Sequence, residues 1–291
     1  MPENVQTIPA HPNLPVGSFV ELAKEAHFCL MKGTKIGNKP YQLNAEEIWS
    51  TDLEQIISFC AENPRENFPS IGKFQPSAET KQEVEAHRSK YAVYFLKYVK
   101  NYYWGKRRLA RPNVNTKTDS ALGTLMKKVF GVKEENLELL LAAHRQCMVA
   151  ENAVGELLER YIDQKLSKRG WIWCAGKTVK FADFLVPNRK PSRLVLQVKN
   201  QANSENSASS SVREGTEIVH WFRRNSKTGE TRWIESKKKR GDGTRPGLPD
   251  NDGSLNEEDF LKFAANYKWA DEKDAAEEPL ADETEENVGG V

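Results

Sequence analysis

No apolar run in this 291-residue chain approaches the roughly 18 residues that a membrane-crossing helix needs, and no charged-then-apolar leader opens it. A soluble, cytoplasmic protein is the expectation. Cysteine is scarce: Cys29, Cys60, Cys147 and Cys174 are widely spaced with no Cys-x-x-Cys pair, which argues against a zinc site or a disulfide framework and points to reduced, buried packing residues. No internal repeat period emerges, so the chain is not read as a solenoid. Net charge is also small, +2 from 43 basic and 41 acidic residues. That balance is uneven, however, because the stretch from Asp271 to the end carries nine acids against Lys273 alone and leaves the rest about ten positive. The body is therefore basic, and residues 271–291 read as a disordered acidic tail, either a solvating end or a competitor for the basic surface.

Residues 1–115 read as a helical region after a Pro-rich lead. Helical periodicity begins near Gly17 with Phe19, Leu22, Ala23, Ala26, Phe28 and Leu30. Asn44 with Glu47 three residues on predicts the start of a second helix, ended by Asn63-Pro64. Ser77 predicts the cap of a long third helix whose stripe of Val84, Arg88, Tyr91, Phe95, Tyr98 and Tyr102 fits a core or dimer face better than a platform for stacking bases. That helix runs into Lys106, Arg107, Arg108 and Arg111 around Trp104, a cluster that fits either phosphate contacts or a solvated surface. Thr118-Asp119 opens a further helix, and NLELLLAAHRQCMV predicts another.

The stretch from Glu151 to Asn200 carries the chemistry. In ENAVGELLERYIDQKLSKRG the residues Val154, Leu157, Leu158, Tyr161 and Ile162 recur at helical spacing, and Gly170 closes the helix. Glu151, Gly155 and Glu159 share a flank beside that apolar face, with Glu156 on the solvent side. Two apolar strands follow. In VKFADFLVP, alternation sets Phe181, Asp183 and Leu185 on one face; in LVLQVKN it sets Val195, Gln197 and Lys199 together opposite Leu194, Leu196 and Val198. Polar side chains inside apolar strands are costly unless something satisfies them, and a hard divalent cation does so. Mg2+ takes oxygen ligands at roughly 2.0–2.1 Å and keeps several waters, so Asp183, the Gln197 amide and the Val198 carbonyl suffice to hold it. Glu159 is a supporting carboxylate, and Lys199 is placed to orient an attacking water.

The order Gly155-x-x-x-Glu159, Asp183, then Gln197-x-Lys199 fourteen residues on resembles the PD-(D/E)XK nucleases, with Gln197 in place of the usual second acid and no Pro before Asp183. The run ENAVGELLERYI, the LQVKN strand and NSENSASSSVREGTEIVHWFRRNS are more narrowly similar to SinI-type restriction endonucleases, over about residues 140–235. That resemblance implies a type II enzyme hydrolysing both strands of DNA with Mg2+ at a short palindrome of the GGWCC kind. It implies a homodimer with one site per strand, and a companion DNA methyltransferase.

After Asn200 the composition turns polar. QANSENSASSS reads either as a flexible linker or as a recognition loop, in which Asn203, Glu205 and Asn206, with Arg213 just after the run, have the groups that read base edges. TEIVHWFRRN is read as a helix burying Ile218, Val219 and Phe222, leaving Arg223 and Arg224 for phosphate. A hairpin turn at Thr228-Gly229, the basic run KKKRG and a last helix from Glu257 complete the chain. The expectation is an α/β protein, with a nuclease core over 116–270 built on a small mixed sheet flanked by helices. A modification-dependent or repair nuclease, or a catalytically silent DNA-binding protein, fits the same residues.

Overall fold

The computed structural model describes residues 19–36, 39–77, 80–108, 119–190, 192–201, 218–225, 227–234 and 247–269. The acidic tail, the KKKRG run, Arg111 and the polar segment with Asn203, Glu205, Asn206 and Arg213 lie outside them. Among the described residues no helix is long and apolar enough to cross a membrane.

Helices α1 (Phe19–Met31), α2 (Thr51–Glu62), the short α3 (Pro64–Asn67), α4 (Lys81–Ala86) and α5 (Arg88–Arg107) form the N-terminal part, with a β1–β2 hairpin (Thr34–Ile36, Lys39–Tyr41) between the first two. Two starts differ from the sequence expectation. Asn44 caps only a turn, its amide bonded to Glu47 Oε2, while Ser50 caps α2 by accepting the Leu53 amide. Thr80 and Glu83, rather than Ser77, form the reciprocal capping box of α4. The expected long third helix is broken at His87, whose φ of −120° and ψ of 22° are not helical.

α5 is the spine of this half. Tyr91, Tyr94, Phe95, Tyr98, Val99, Tyr102 and Tyr103 are buried on it, and Phe19 and Phe68 meet its rings edge-on or tilted. These aromatics are core, not a surface for bases.

α6 (Ser120–Lys128), capped by Asp119, leads into α7 (Glu134–Leu166), one 33-residue helix where two segments were expected. From Ala153 onward α7 buries Leu157, Leu158, Tyr161, Ile162 and Leu166; before that it projects, exposing Leu139 and Cys147. Cys147 is thus not the packing residue expected, whereas Cys60 and Cys174 are. Gly170, at φ +83°, ends the helix where expected.

The sheet has the order β3 (Ile172–Trp173), β4 (Phe184–Val186), β5 (Leu194–Gln201), β6 (Ile218–Arg224). The first two pairings are antiparallel and β5–β6 is parallel, with Gln197 level with His220 and Lys199 with Phe222. It is the small mixed sheet expected. β6 corrects the helix read at TEIVHWFRRN. The β-branched pair Ile218-Val219 and the aromatics Trp221 and Phe222 suit a pleated surface, and the buried positions alternate as Trp221 and Arg223, although Val219, on the same face near the strand start, is exposed. α8 (Glu257–Asn266) seats Phe260 against Tyr161 and Trp233.

One apolar cluster runs from Phe19 to Phe260, so the N-terminal helices and the sheet share a core. They meet most closely where α5 crosses the turn Ala175–Lys177: a methyl on Gly105 would overlap the Gly176 backbone, and one on Gly176, at φ +68°, would overlap the Asn101 carbonyl. Tyr98 Oη donates to the Thr178 carbonyl at 2.7 Å, and the Lys180 amide donates to the Asn67 carbonyl at 2.8 Å. The helical half thereby fixes the segment leading into Asp183.

Candidate active site

Asp183 is laced into its surroundings at three points. Its amide donates to the Leu196 carbonyl at 2.8 Å, its carbonyl accepts from the Cys174 amide at 2.8 Å, and its carboxylate oxygen Oδ2 accepts from the Val198 amide at 2.7 Å. Regular strand begins only at Phe184, and Phe181 takes a left-handed φ of +63° with its ring exposed, so the alternation read across Phe181 and Asp183 starts later than expected. The β4–β5 register pairs Phe184 with Leu196. One residue further, Asp183 comes level with Gln197.

On β5 the burial pattern matches the reading: Leu194, Leu196 and Val198 are buried, while Gln197 and Lys199 are half-buried on the other face. Among the described residues the Lys199 side chain makes no hydrogen bond or ion pair, while its backbone is paired with β6 at Phe222. It shares the half-buried face of β5 with Gln197, two residues along the strand.

Glu159 reaches the same place from α7. The neighbouring Leu157 and Leu158 pack inward, which draws Glu159 down to the sheet, where its Oε2 accepts the Trp173 indole N–H at 2.9 Å. Burial pushes its carboxyl up to about 8, and the negative charge of Asp183 adds to that shift, opposed by the Trp173 hydrogen bond and the Arg160 charge. Two carboxyl groups therefore feel each other in partly dry surroundings. Cys174 lies beside them, its thiol held protonated chiefly by burial, then by Cys60 and Asp183, so it is no nucleophile. Glu151, two turns earlier on α7, is exposed and apart from this group.

Trp173 and Arg160 were not singled out by sequence, and no spacing rule marks them. Lys106 Nζ and the Arg160 guanidinium lie 5.2 and 5.1 Å from the Trp173 ring centroid. Arg160 also donates to Glu156 at 3.0 Å and to the Gly105 carbonyl at 3.3 Å. Glu156, expected to face solvent, is instead half-buried in this network.

The basic cluster at the end of α5 is paired with acids: Lys106 with Asp163 at 3.2 Å, Arg107 with Glu47 at 3.1 Å, and Arg108 with Glu156 at 3.4 Å. Arg223 is a correction to the reading of a phosphate contact. It is 5% exposed, gives two hydrogen bonds to Asn200 Oδ1 at 3.0 and 2.7 Å, pairs with Glu257, and lies over the Phe260 ring. The change from helix to strand turns it inward. Arg224, the next residue, is exposed at the strand end.

Among the described residues no three His, Cys, Asp or Glu side chains converge as a metal-binding group. The donor set that Glu159, Asp183 and Gln197 make is two carboxyls and an amide. Burial first and the Asp183 charge second favour the neutral form of Glu159, and oxygen donors of this kind suit a hard divalent cation.

This arrangement, a helix carboxyl and a braced aspartate flanking a strand that carries Gln-x-Lys, sits within a chain that belongs to the SinI restriction endonuclease family, whose model matches residues 34–270. Two relatives are type II restriction enzymes. SinI of Salmonella infantis is 32% identical over 228 residues, covering 77% of this chain and 94% of that enzyme. Eco47I of Escherichia coli is 42% identical over 155 residues, covering 52% of this chain and 62% of that enzyme.

Proposed function

We propose that this protein is a type II restriction endonuclease that hydrolyses both strands of double-stranded DNA at a short palindrome, GGWCC being the first sequence to test, in a reaction dependent on Mg2+. The carrying observation is the bond from the Val198 amide to Asp183, which joins the carboxylate to the strand bearing Gln197 and Lys199 while Glu159 closes in from α7. Asp183, Gln197 and the Val198 carbonyl would hold the cation, and Glu159 would support it. When bound, Mg2+ supplies Lewis acidity at the scissile phosphate.

The chain's own residues do the rest. Lys199 offers three N–H donors to orient a water and offset phosphate charge. Asp183, tied to the backbone of β5, keeps its carboxylate from swinging as DNA enters. Cutting both strands of a palindrome calls for two such sites related by a twofold, hence a homodimer. Arg224 and the polar segment with Asn203, Glu205, Asn206 and Arg213 are the proposed DNA contacts, along with Lys106, Arg107 and Arg108 once their acidic partners yield to phosphate. A companion methyltransferase would protect the host's own sites.

Replacing Asp183 by Ala tests the reading. Cleavage in Mg2+ is expected to vanish while site-specific DNA binding in Ca2+ persists. Cleavage by the variant would remove Asp183 from the mechanism.

A further inference from the structure

Glu159 is a short-range problem for the fold: it lies beside Asp183 in partly dry surroundings, on a helix whose neighbouring residues are turned inward. Its carboxylate has rotamers to choose from, and only one direction is useful. The contact that selects a direction is the indole N–H of Trp173, which donates to Oε2 at 2.9 Å. Trp173 itself is 5% exposed and belongs to β3, so its backbone is set by pairing with Phe184, the residue after Asp183. Its ring is approached by two cations, Lys106 from α5 and Arg160 from α7, each anchored by an acid of α7, Asp163 and Glu156. The Arg160 side chain is 11% exposed and its Nε is buried without a partner, a cost that its placement against Trp173 and Gly105 helps offset.

We infer that Trp173 is a positioning residue for the Mg2+ site: its indole N–H holds one oxygen of Glu159 and leaves the carboxyl directed at Asp183, while Lys106 and Arg160 fix the ring. The inference rests on the proposed role of Glu159 at the cation. Groups that orient a metal-supporting carboxylate typically affect metal affinity by about 10- to 100-fold. Trp173→Phe keeps a ring between the two cations and removes the donor. Glu159→Gln removes the group's capacity to ionise at the cation and serves as the control for the role of Glu159 itself.

The experiment reads two quantities on the full-length protein: the Mg2+ concentration for half-maximal plasmid cleavage, and the rise in Tm produced by Ca2+ without any turnover. Trp173→Phe is expected to raise the half-maximal Mg2+ about tenfold, to regain cleavage when Mg2+ is saturating, and to shrink the Ca2+-induced rise in Tm. A merely structural role would lower the Tm in EDTA and leave the Mg2+ requirement unmoved. If Glu159→Gln raises the requirement and Trp173→Phe does not, the inference is overturned and the role of Glu159 stands. If neither variant changes it, the role of Glu159 falls and the inference with it. Should Trp173→Phe not fold, the indole 1H–15N resonance of Trp173 in the wild-type protein decides: it shifts on Ca2+ addition if the inference holds, and a stationary resonance overturns it.

Discussion

Asp183 accepts the Val198 amide at 2.7 Å, so the side chain assigned to the cation also splices the start of β4 to the strand carrying Gln197 and Lys199. On the proposed mechanism chemistry and architecture are combined in one carboxylate, and they can be separated. Asp183→Asn keeps an oxygen that can accept from Val198 but loses the charge, and is expected to retain the wild-type Tm closely while losing cleavage. Asp183→Ala loses both, with about 1–3 kcal/mol of stability for the amide left unsatisfied. Urea unfolding of the two variants beside a plasmid assay checks this; equal stability of both would mean that the bond to Val198 contributes nothing.

Arg223 and Arg224 are adjacent in sequence and opposite in role. Arg223→Ala strands Glu257 and Asn200 and is expected to cost on the order of 3 kcal/mol in urea unfolding. Arg224→Ala should leave Tm nearly unchanged and lower DNA affinity, with a salt slope shallower by about one. Reversed effects would restore the reading of Arg223 as a phosphate contact.

Much of the site was legible because strand alternation and helix periodicity are local: they set Gln197 with Lys199, and Glu159 beside the Leu157-Leu158 face. The register that brings Asp183 level with Gln197 is a pairing between strands, which no single-segment pattern contains. The helix read at TEIVHWFRRN failed for a related reason. Seven residues fit either period, and pairing to β5 decides between them. Trp173 was invisible for want of any spacing rule linking a strand indole to a helix carboxylate, while Asn44 and Ser77 misled because a capping residue needs a helix to follow it, which Ser50 and Thr80 have.

Glu159 links pH to stability. Its folded value near 8 lies above the ordinary 4.5, so the folded state keeps the proton longer; this contribution is full below about 4.5 and is lost as pH rises through about 8. In EDTA the wild-type Tm is expected to fall between pH 6 and pH 9, and to fall less in Glu159→Gln. Parallel Tm curves for the two proteins would contradict the shift. Cation binding, which displaces that proton, should be tighter at pH 9 than at pH 6.

Gly176 tests how the helical half holds the site. Gly176→Ala places a methyl against the Asn101 carbonyl at a left-handed φ, and the backbone alone costs about 1–2 kcal/mol. Since the turn leads into Trp173 and Asp183 on either side, cleavage should drop along with Tm. A variant as stable and active as the wild type would show that α5 does not set this segment.

The most direct measurement is incubation of the purified protein with unmethylated plasmid and phage DNA in Mg2+, alongside EDTA and Lys199→Ala controls, followed by sequencing of the fragment ends. The account predicts discrete fragments whose ends share one short palindrome, absent in both controls. Intact DNA in Mg2+, bound in a salt-sensitive way but never cut, would contradict it and make Gln197 the mark of a silent DNA-binding protein.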